Sequence, residues 1–187
     1  MLTPLIRLAS SSITRAELLM DEGIDFIQEH VDFDEDSIVA STPKNFVYQA
    51  TLGKYETNFK AFGIDDYPLL VADTVVTSNS KILRKAKNTD DAKEILLTLS
   101  GNVTSIITCM IYHCKKQKII DISQTDYIFS KFDKDDLESY LASGEYIGKA
   151  GACMVEGFCK KYIKDVKGLE STAMGLNTDI LKKFMIQ

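Results

Sequence analysis

With 187 residues, 45% of them hydrophobic and 26% charged, the chain has enough material for one globular domain or two closely joined lobes over a shared core. A formal charge of -5 and a pI near 5.1 exclude broad electrostatic attachment to a nucleic-acid backbone or an anionic membrane, so any phosphate-bearing partner is expected to be small. No basic stretch with a long apolar follow-on opens the chain, and no apolar run reaches the roughly eighteen residues of a membrane span; the expected location is the cytoplasm.

Residues 5–9 predict a short strand, after which Ser10-Ser11-Ser12 leads into a helix with apolar residues at helical spacing that ends near Gly23. Serines at a helix start cap free amides, and the same N–H groups, hydroxyls and positive dipole end also suit phosphate, with Arg15 as a forked donor. The triplet by itself fits either use. Residues 24–31 read as a second strand, followed by the acidic Asp32-Phe33-Asp34-Glu35-Asp36. This is a solvated loop or, with Phe33 interrupting it, a segment that turns Asp34 and Glu35 inward onto a divalent cation through hard oxygen ligands. Thr42-Pro43 opens a long helix running to about Phe62, in which Lys54 has no role that the helix alone assigns.

Next comes Leu70-Val71-Ala72-Asp73-Thr74-Val75-Val76, an apolar run with one carboxylate in its middle. A strand covered on both faces should be hydrophobic throughout, so Asp73 must lie at a strand end, meet a cation, or carry a large desolvation cost. The alternative is that Asp73 caps a turn and Thr74 begins a new strand. A turn at residues 77–80 and a basic strand over 81–85 follow, then a helix capped by Thr89 with Asp90 and Asp91 and stopped at Ser100-Gly101. Residues 103–112 and 119–129 predict an antiparallel pair around a Lys-rich turn, and Asp133 starts a helix that Ser143-Gly144 ends. Residues 148–152 are small around Lys149, 162–166 suggest a strand, and 168–175 a loop before a last amphipathic helix with Ile180, Leu181, Phe184 and Met185. Strands and helices mixed in this order favour an α/β or α+β fold without regular βαβ alternation.

Cys109, Cys114, Cys153 and Cys159 lie on apolar segments without a CxxC pair or a histidine at ligand spacing, and are expected to be packed thiols. His30 and His113, the two histidines, read as surface or packing residues, which excludes a histidine-centred hydrolase.

Taken together, Leu8-Ala9-Ser10-Ser11-Ser12 with Arg15 and Glu17-Leu18-Leu19, Asp34-Glu35, Ala72-Asp73-Thr74-Val75-Val76, Lys85, Leu99-Ser100-Gly101, Gly144-Glu145 and Lys149-Ala150-Gly151-Ala152 resemble the Maf family of nucleoside triphosphate pyrophosphatases, related to septum-formation inhibitors, in order and spacing from about residue 6 to 176. The resemblance implies one Maf/ITPase-like domain over residues 1–187, an elongated mixed sheet flanked by helices with two lobes around a central cleft. It also implies hydrolysis of a non-preferred or modified nucleoside triphosphate to the monophosphate and pyrophosphate with Mg2+ or Mn2+, and related proteins are often dimeric. On the family pattern Asp73 is the base or metal-positioning carboxylate at the cleft end of its strand, with Glu35 its acidic companion. Lys54 and Lys85 stabilise charge, and Ser10, Ser11, Arg15 and Lys149 hold phosphates. Where many members have two arginines after Ser-Pro, this chain has Ile13-Thr14-Arg15; Gly-Lys-Pro becomes Arg84-Lys85-Ala86, the histidine after Ser-Gly becomes Thr104, and Gly-Leu-Pro becomes Gly175-Leu176-Asn177. Glu156 stands where the family has glutamine, as in the branch acting on methylated guanine nucleotides, since a carboxylate can accept hydrogen bonds from a guanine edge. The substitutions leave a second expectation open, a nucleotide-binding regulator of cell division with weak or no turnover.

Overall fold

The computed structural model describes residues 4–185 except 154 and 156, with only the backbone of Asp36. Its strands are β1 (Ile6–Leu8), β2 (Phe26–Gln28), β3 (Leu69–Ser78), β4 (Lys81–Leu83), β5 (Val103–Cys114), β6 (Gln117–Phe129) and β7 (Ile163–Lys167). They form one seven-stranded sheet in the order β2-β1-β3-β5-β6-β7, with β4 paired to β3. The sheet is mixed, as expected: β1 runs parallel to both β2 and β3, while β3 with β4 and β6 with β7 are antiparallel. The helices are α1 (Ile13–Asp21), α2 (Pro43–Phe62), α3 (Thr89–Leu99), α4 (Lys134–Ser143), α5 (Glu170–Met174) and α6 (Thr178–Met185).

By contacts the chain divides into two compact units, one of Met1–Thr74, Ile107–Gln124 and Leu169–Gln187, the other of Val75–Ile106 and Thr125–Gly168. In the first unit the two-residue period of β3 sorts its side chains into two cores. Leu70 and Ala72 join Ile6, Leu8, Leu19, Met110, Tyr112, Leu181 and Met185, the core that α1 and α6 cover. Leu69 and Val71 join Ile111 and Tyr55, with Leu52 packed against them, on the side of α2. The same alternation sends Asp73 toward α2 and Thr74 toward α1. In the second unit Leu137, Tyr140 and Leu141 are the buried side of α4, which Asp133 caps through its carboxylate and Gly144 ends in the left-handed region.

Several expectations need correction. Asp73 is not at a strand end: β3 continues five residues past it, to Ser78. The cap of α3 is Asn88 rather than Thr89, its side chain accepting from the Asp91 amide. Residues 170–174 form a helical turn and a half where a loop was expected.

The cysteines also depart from the expectation of packed thiols. Cys153 and Cys159 are joined in a disulfide, and Cys109 and Cys114 are free. Cys109, on β5, is buried, and burial pushes its thiol up to about 11. The denatured, unreduced protein is therefore expected to react with a thiol reagent at two positions and, after reduction, at four; four reactive thiols before reduction would disprove the pairing. Among the described residues no helix is long and apolar enough to cross a membrane.

Candidate active site

Ser10, Ser11 and Ser12 cross from β1 to α1, where Ser12 caps the helix by accepting from the Arg15 amide. Gln28, at the end of β2, donates to the carbonyls of Ser10 (2.8 Å) and Ser12 (3.3 Å), tying the serine turn to the neighbouring strand. The Ser10 hydroxyl accepts from the Ser12 amide (3.2 Å) and from Arg15 Nη1 (3.1 Å). Both acceptor positions are thereby used, and what Ser10 offers a ligand is its hydrogen, the form an anion requires.

On the other side of β3 sits a charged pair that involves the carboxylate at residue 73. Asp73 is 7% exposed in mid-strand, and Lys54 Nζ lies 2.5 Å from its Oδ1 and 2.6 Å from Glu35 Oε1. This resolves the choice posed by the sequence: Asp73 meets a cation, and that cation is on the helix facing it. A lone carboxylate there would carry a desolvation cost of several kcal/mol, which the ammonium offsets. Lys54 thus bridges both carboxylates and keeps one N–H beyond those two bonds.

Glu35 reaches Lys54 because its loop is fastened to α2 at two places. Asn58, one helical turn after Lys54 and 1% exposed, accepts from the Val31 amide at 2.8 Å and donates to the Val31 carbonyl at 3.0 Å. Phe33 lies over Gly53, where an added Cβ would come within 2.3 Å of the ring. Neither Asn58 nor Gly53 was singled out from the sequence. Asn58 looks like any polar helix residue, and its partner is 27 positions away. A glycine inside a twenty-residue helix was the available signal, since it lowers helix stability by roughly 0.8–1 kcal/mol relative to alanine unless something needs the space.

Ser10, Ser11, Ser12, Arg15, Glu35 and Lys54 line one cavity of ≈ 260 Å³, together with His30 and Asn58. His30 is therefore at the site, paired at 3.3 Å with Asp32, rather than a remote surface residue. His113 is a packing residue, as expected, bonded through Nδ1 to the Tyr55 hydroxyl at 2.7 Å. Burial lowers the Arg15 pKa against the opposing pull of Asp73 and Glu35, yet a guanidinium stays charged in a protein. On the cavity wall Arg15 and Lys54 are met by Asp32 and Glu35, with Asp73 bonded to Lys54 as well, so the cavity holds no surplus of positive charge to set against a polyphosphate. Among the described residues no three His, Cys, Asp or Glu side chains cluster as a ready-made metal cage.

Two expected site residues, Lys85 as a charge-stabilising group and Lys149 as a phosphate ligand, lie in the second unit. Lys85 pairs with Ala150 in an isolated antiparallel bridge, which places it beside the loop of Lys149. Lys149 Nζ lies 6.0 Å from the Tyr140 ring centroid. Glu156 is outside the described residues.

A nucleoside triphosphate pyrophosphatase of a Nitratiruptor species is 54% identical over 179 residues, covering 95% of this chain and 96% of the relative. Proteins of the same name from Campylobacter jejuni (strain RM1221) and Helicobacter pylori (strain J99 / ATCC 700824) are 36% and 37% identical, covering 95% and 92% of this chain and 98% and 90% of theirs. Among solved structures, the Staphylococcus aureus Ham1 protein matches with a TM-score of 0.47 and 15% identity over 67% of this chain and 72% of that one, too loose a likeness to carry an argument. The family described as Maf-like protein matches residues 5–187, which takes in every residue of the cavity, and the chain belongs to it.

Proposed function

We propose that this chain is a nucleoside triphosphate pyrophosphatase that clears a non-preferred or modified nucleotide from the pool, with a divalent cation bound. Water adds to the α-phosphorus, the bond from that phosphorus to the α–β bridging oxygen breaks, and pyrophosphate leaves with the bond's electron pair. The observation that carries the reading is the buried Asp73 carboxylate, anchored by Lys54 beside a serine and arginine cradle for anions. One Asp73 oxygen is held by Lys54, and the other is free of that bond to take the proton of the attacking water. Ser10 donates its hydroxyl hydrogen to a phosphate oxygen, Arg15 adds a fixed positive charge, and the remaining N–H of Lys54 faces charge that develops as the bond breaks.

The donor set fits Mg2+ or Mn2+. Such cations bind through one or two carboxylates, with water and substrate phosphates completing the shell, and Asp73 and Glu35 supply those two on one ammonium. When bound, the cation would offset phosphate charge that Arg15 and Lys54, already set against carboxylates, do not, and acidify water. Lys85 as a charge-stabilising group and Lys149 as a phosphate contact rest on the family resemblance, as does Glu156 as the residue that reads the base.

A panel of nucleoside triphosphates, including pyrimidine and methylated guanine substrates, scored for pyrophosphate with Mg2+, Mn2+ or chelator, tests the reading. Pyrophosphate release that the chelator stops is expected. Binding without cleavage across the whole panel would replace the enzyme by a nucleotide-binding regulator. An unchanged substrate ranking in Glu156→Gln would remove that residue from base reading.

A further inference from the structure

The Arg15 guanidinium is held by more of the fold than a simple phosphate ligand requires. Its Nε donates to the Gly175 carbonyl at 3.0 Å, Nη1 to the Ser10 hydroxyl at 3.1 Å and Nη2 to the Thr74 hydroxyl at 3.0 Å. Thr74 in turn lies 2.9 Å from the Thr108 hydroxyl, and Thr108 donates to the Thr172 carbonyl at 2.7 Å. A threonine has one hydroxyl hydrogen. Because the hydrogen of Thr108 is given to Thr172, the bond between the two threonines must run from Thr74 to Thr108. The direction of every link is then fixed: Arg15 to Thr74 to Thr108 to a backbone carbonyl.

We propose that Thr74 is a positioning residue for the triphosphate site, the first member of a one-way hydroxyl chain that locks the Arg15 guanidinium with one N–H on each terminal nitrogen left for phosphate. The inference rests on the reading of the cavity as a polyphosphate site. Three features of the sequence build the lock. The alternation of β3 turns Thr74 toward α1 while Asp73 faces Lys54, so adjacent residues serve the two positive groups. On β5, Thr108 has the same parity as Met110 and Tyr112, which puts it on the α1 side with Thr74. Gly175 ends α5 at φ +113, and an added Cβ there would stand 3.1 Å from Arg15 Nε and 3.4 Å from Thr74 Oγ1. Only a residue without a side chain lets that carbonyl close on the guanidinium.

An ordered chain of this kind polarises along its length, so Thr74 accepts more strongly from Arg15 than an isolated hydroxyl would. It also prevents the arginine from swinging away when no ligand is bound, which lowers the ordering cost of binding. Thr108 is buried at 1% exposure and Thr172 at 1%, so water cannot stand in for either link.

The test uses inorganic tripolyphosphate, which needs no base, with affinity measured by calorimetry in the presence of Mg2+. Thr74→Val preserves volume while removing acceptor and donor, and is expected to weaken binding about tenfold. Thr74→Ser is expected to bind within about twofold of the wild type, since the hydroxyl is restored. In an Arg15→Met background, Thr74→Val should have no further effect, because nothing remains to position. Unweakened binding in Thr74→Val, or an equal loss in the Arg15→Met background, would overturn the proposal, the latter showing a merely structural role. So would a wild type that does not bind tripolyphosphate. Wild-type binding with the expected pattern but no cleavage of any nucleotide would leave the lock standing and remove the pyrophosphatase reading.

Discussion

Asp73→Asn is expected to leave the chain folded while cutting cation-dependent pyrophosphate release by about 10²- to 10⁴-fold, the range lost with a positioned general base. The replacement is nearly isosteric, and Lys54 keeps its 2.6 Å contact with Glu35, so the half-buried ammonium is not stranded. The amide oxygen still accepts from Lys54, whereas the amide nitrogen can neither take a proton from water nor ligate a cation. Circular dichroism and thermal melting establish folding, and coupled pyrophosphate detection gives the rate. Full turnover in a well-folded variant would take Asp73 out of the chemistry altogether.

Lys54→Met should have the broader effect, because one ammonium serves two carboxylates. The stem of methionine fills much of the same space, but Asp73 is left without its cation in the middle of β3 and faces Glu35 across the gap. Breaking a fully buried pair costs about 3–5 kcal/mol; here the Glu35 side chain is 40% exposed and the expected loss is about 2–4 kcal/mol. Urea unfolding should show it as a lower midpoint with unchanged slope. Adding Glu35→Gln should recover part of the lost stability by relieving the repulsion, without recovering turnover. If Lys54→Met is as stable as the wild type, Asp73 is sustained by something other than this ion pair.

Much of this arrangement was legible in the sequence, and the legible parts share a cause. The starts of α1, α2 and α4 carry Ser12, Thr42-Pro43 and Asp133, local signals whose partners lie within three residues. The carboxylate at 73 was conspicuous because its neighbours are apolar, and Arg15 because serines precede it. What escaped depends on distant pairing. That Asp73 sits in mid-strand follows from the extension of β3 to Ser78, through residues 77 and 78 that read as a turn. Helix α5 is five residues long, too short for any apolar period to register between two glycines. The Cys153–Cys159 bond joins residues six apart, a spacing without the signature of a redox or metal pair. Gln28, Asn58, Thr108 and Gly175 hold the site through bonds to residues 16 to 160 positions away, and such residues look solvent-facing until the fold supplies their partners.

The ring of Phe33 on Gly53 has a consequence for anyone who would make this protein sturdier. A glycine inside a long helix is an obvious candidate for replacement by alanine, which would ordinarily firm the helix by roughly a kilocalorie. At residue 53 the added methyl would lift the aromatic anchor from its seat, and the loop bearing Glu35 would lose its alignment with Lys54. Rigidity of the helix and alignment of the carboxylates that share Lys54 are opposed at that single position, so the notch in α2 is a keyway for the acidic loop.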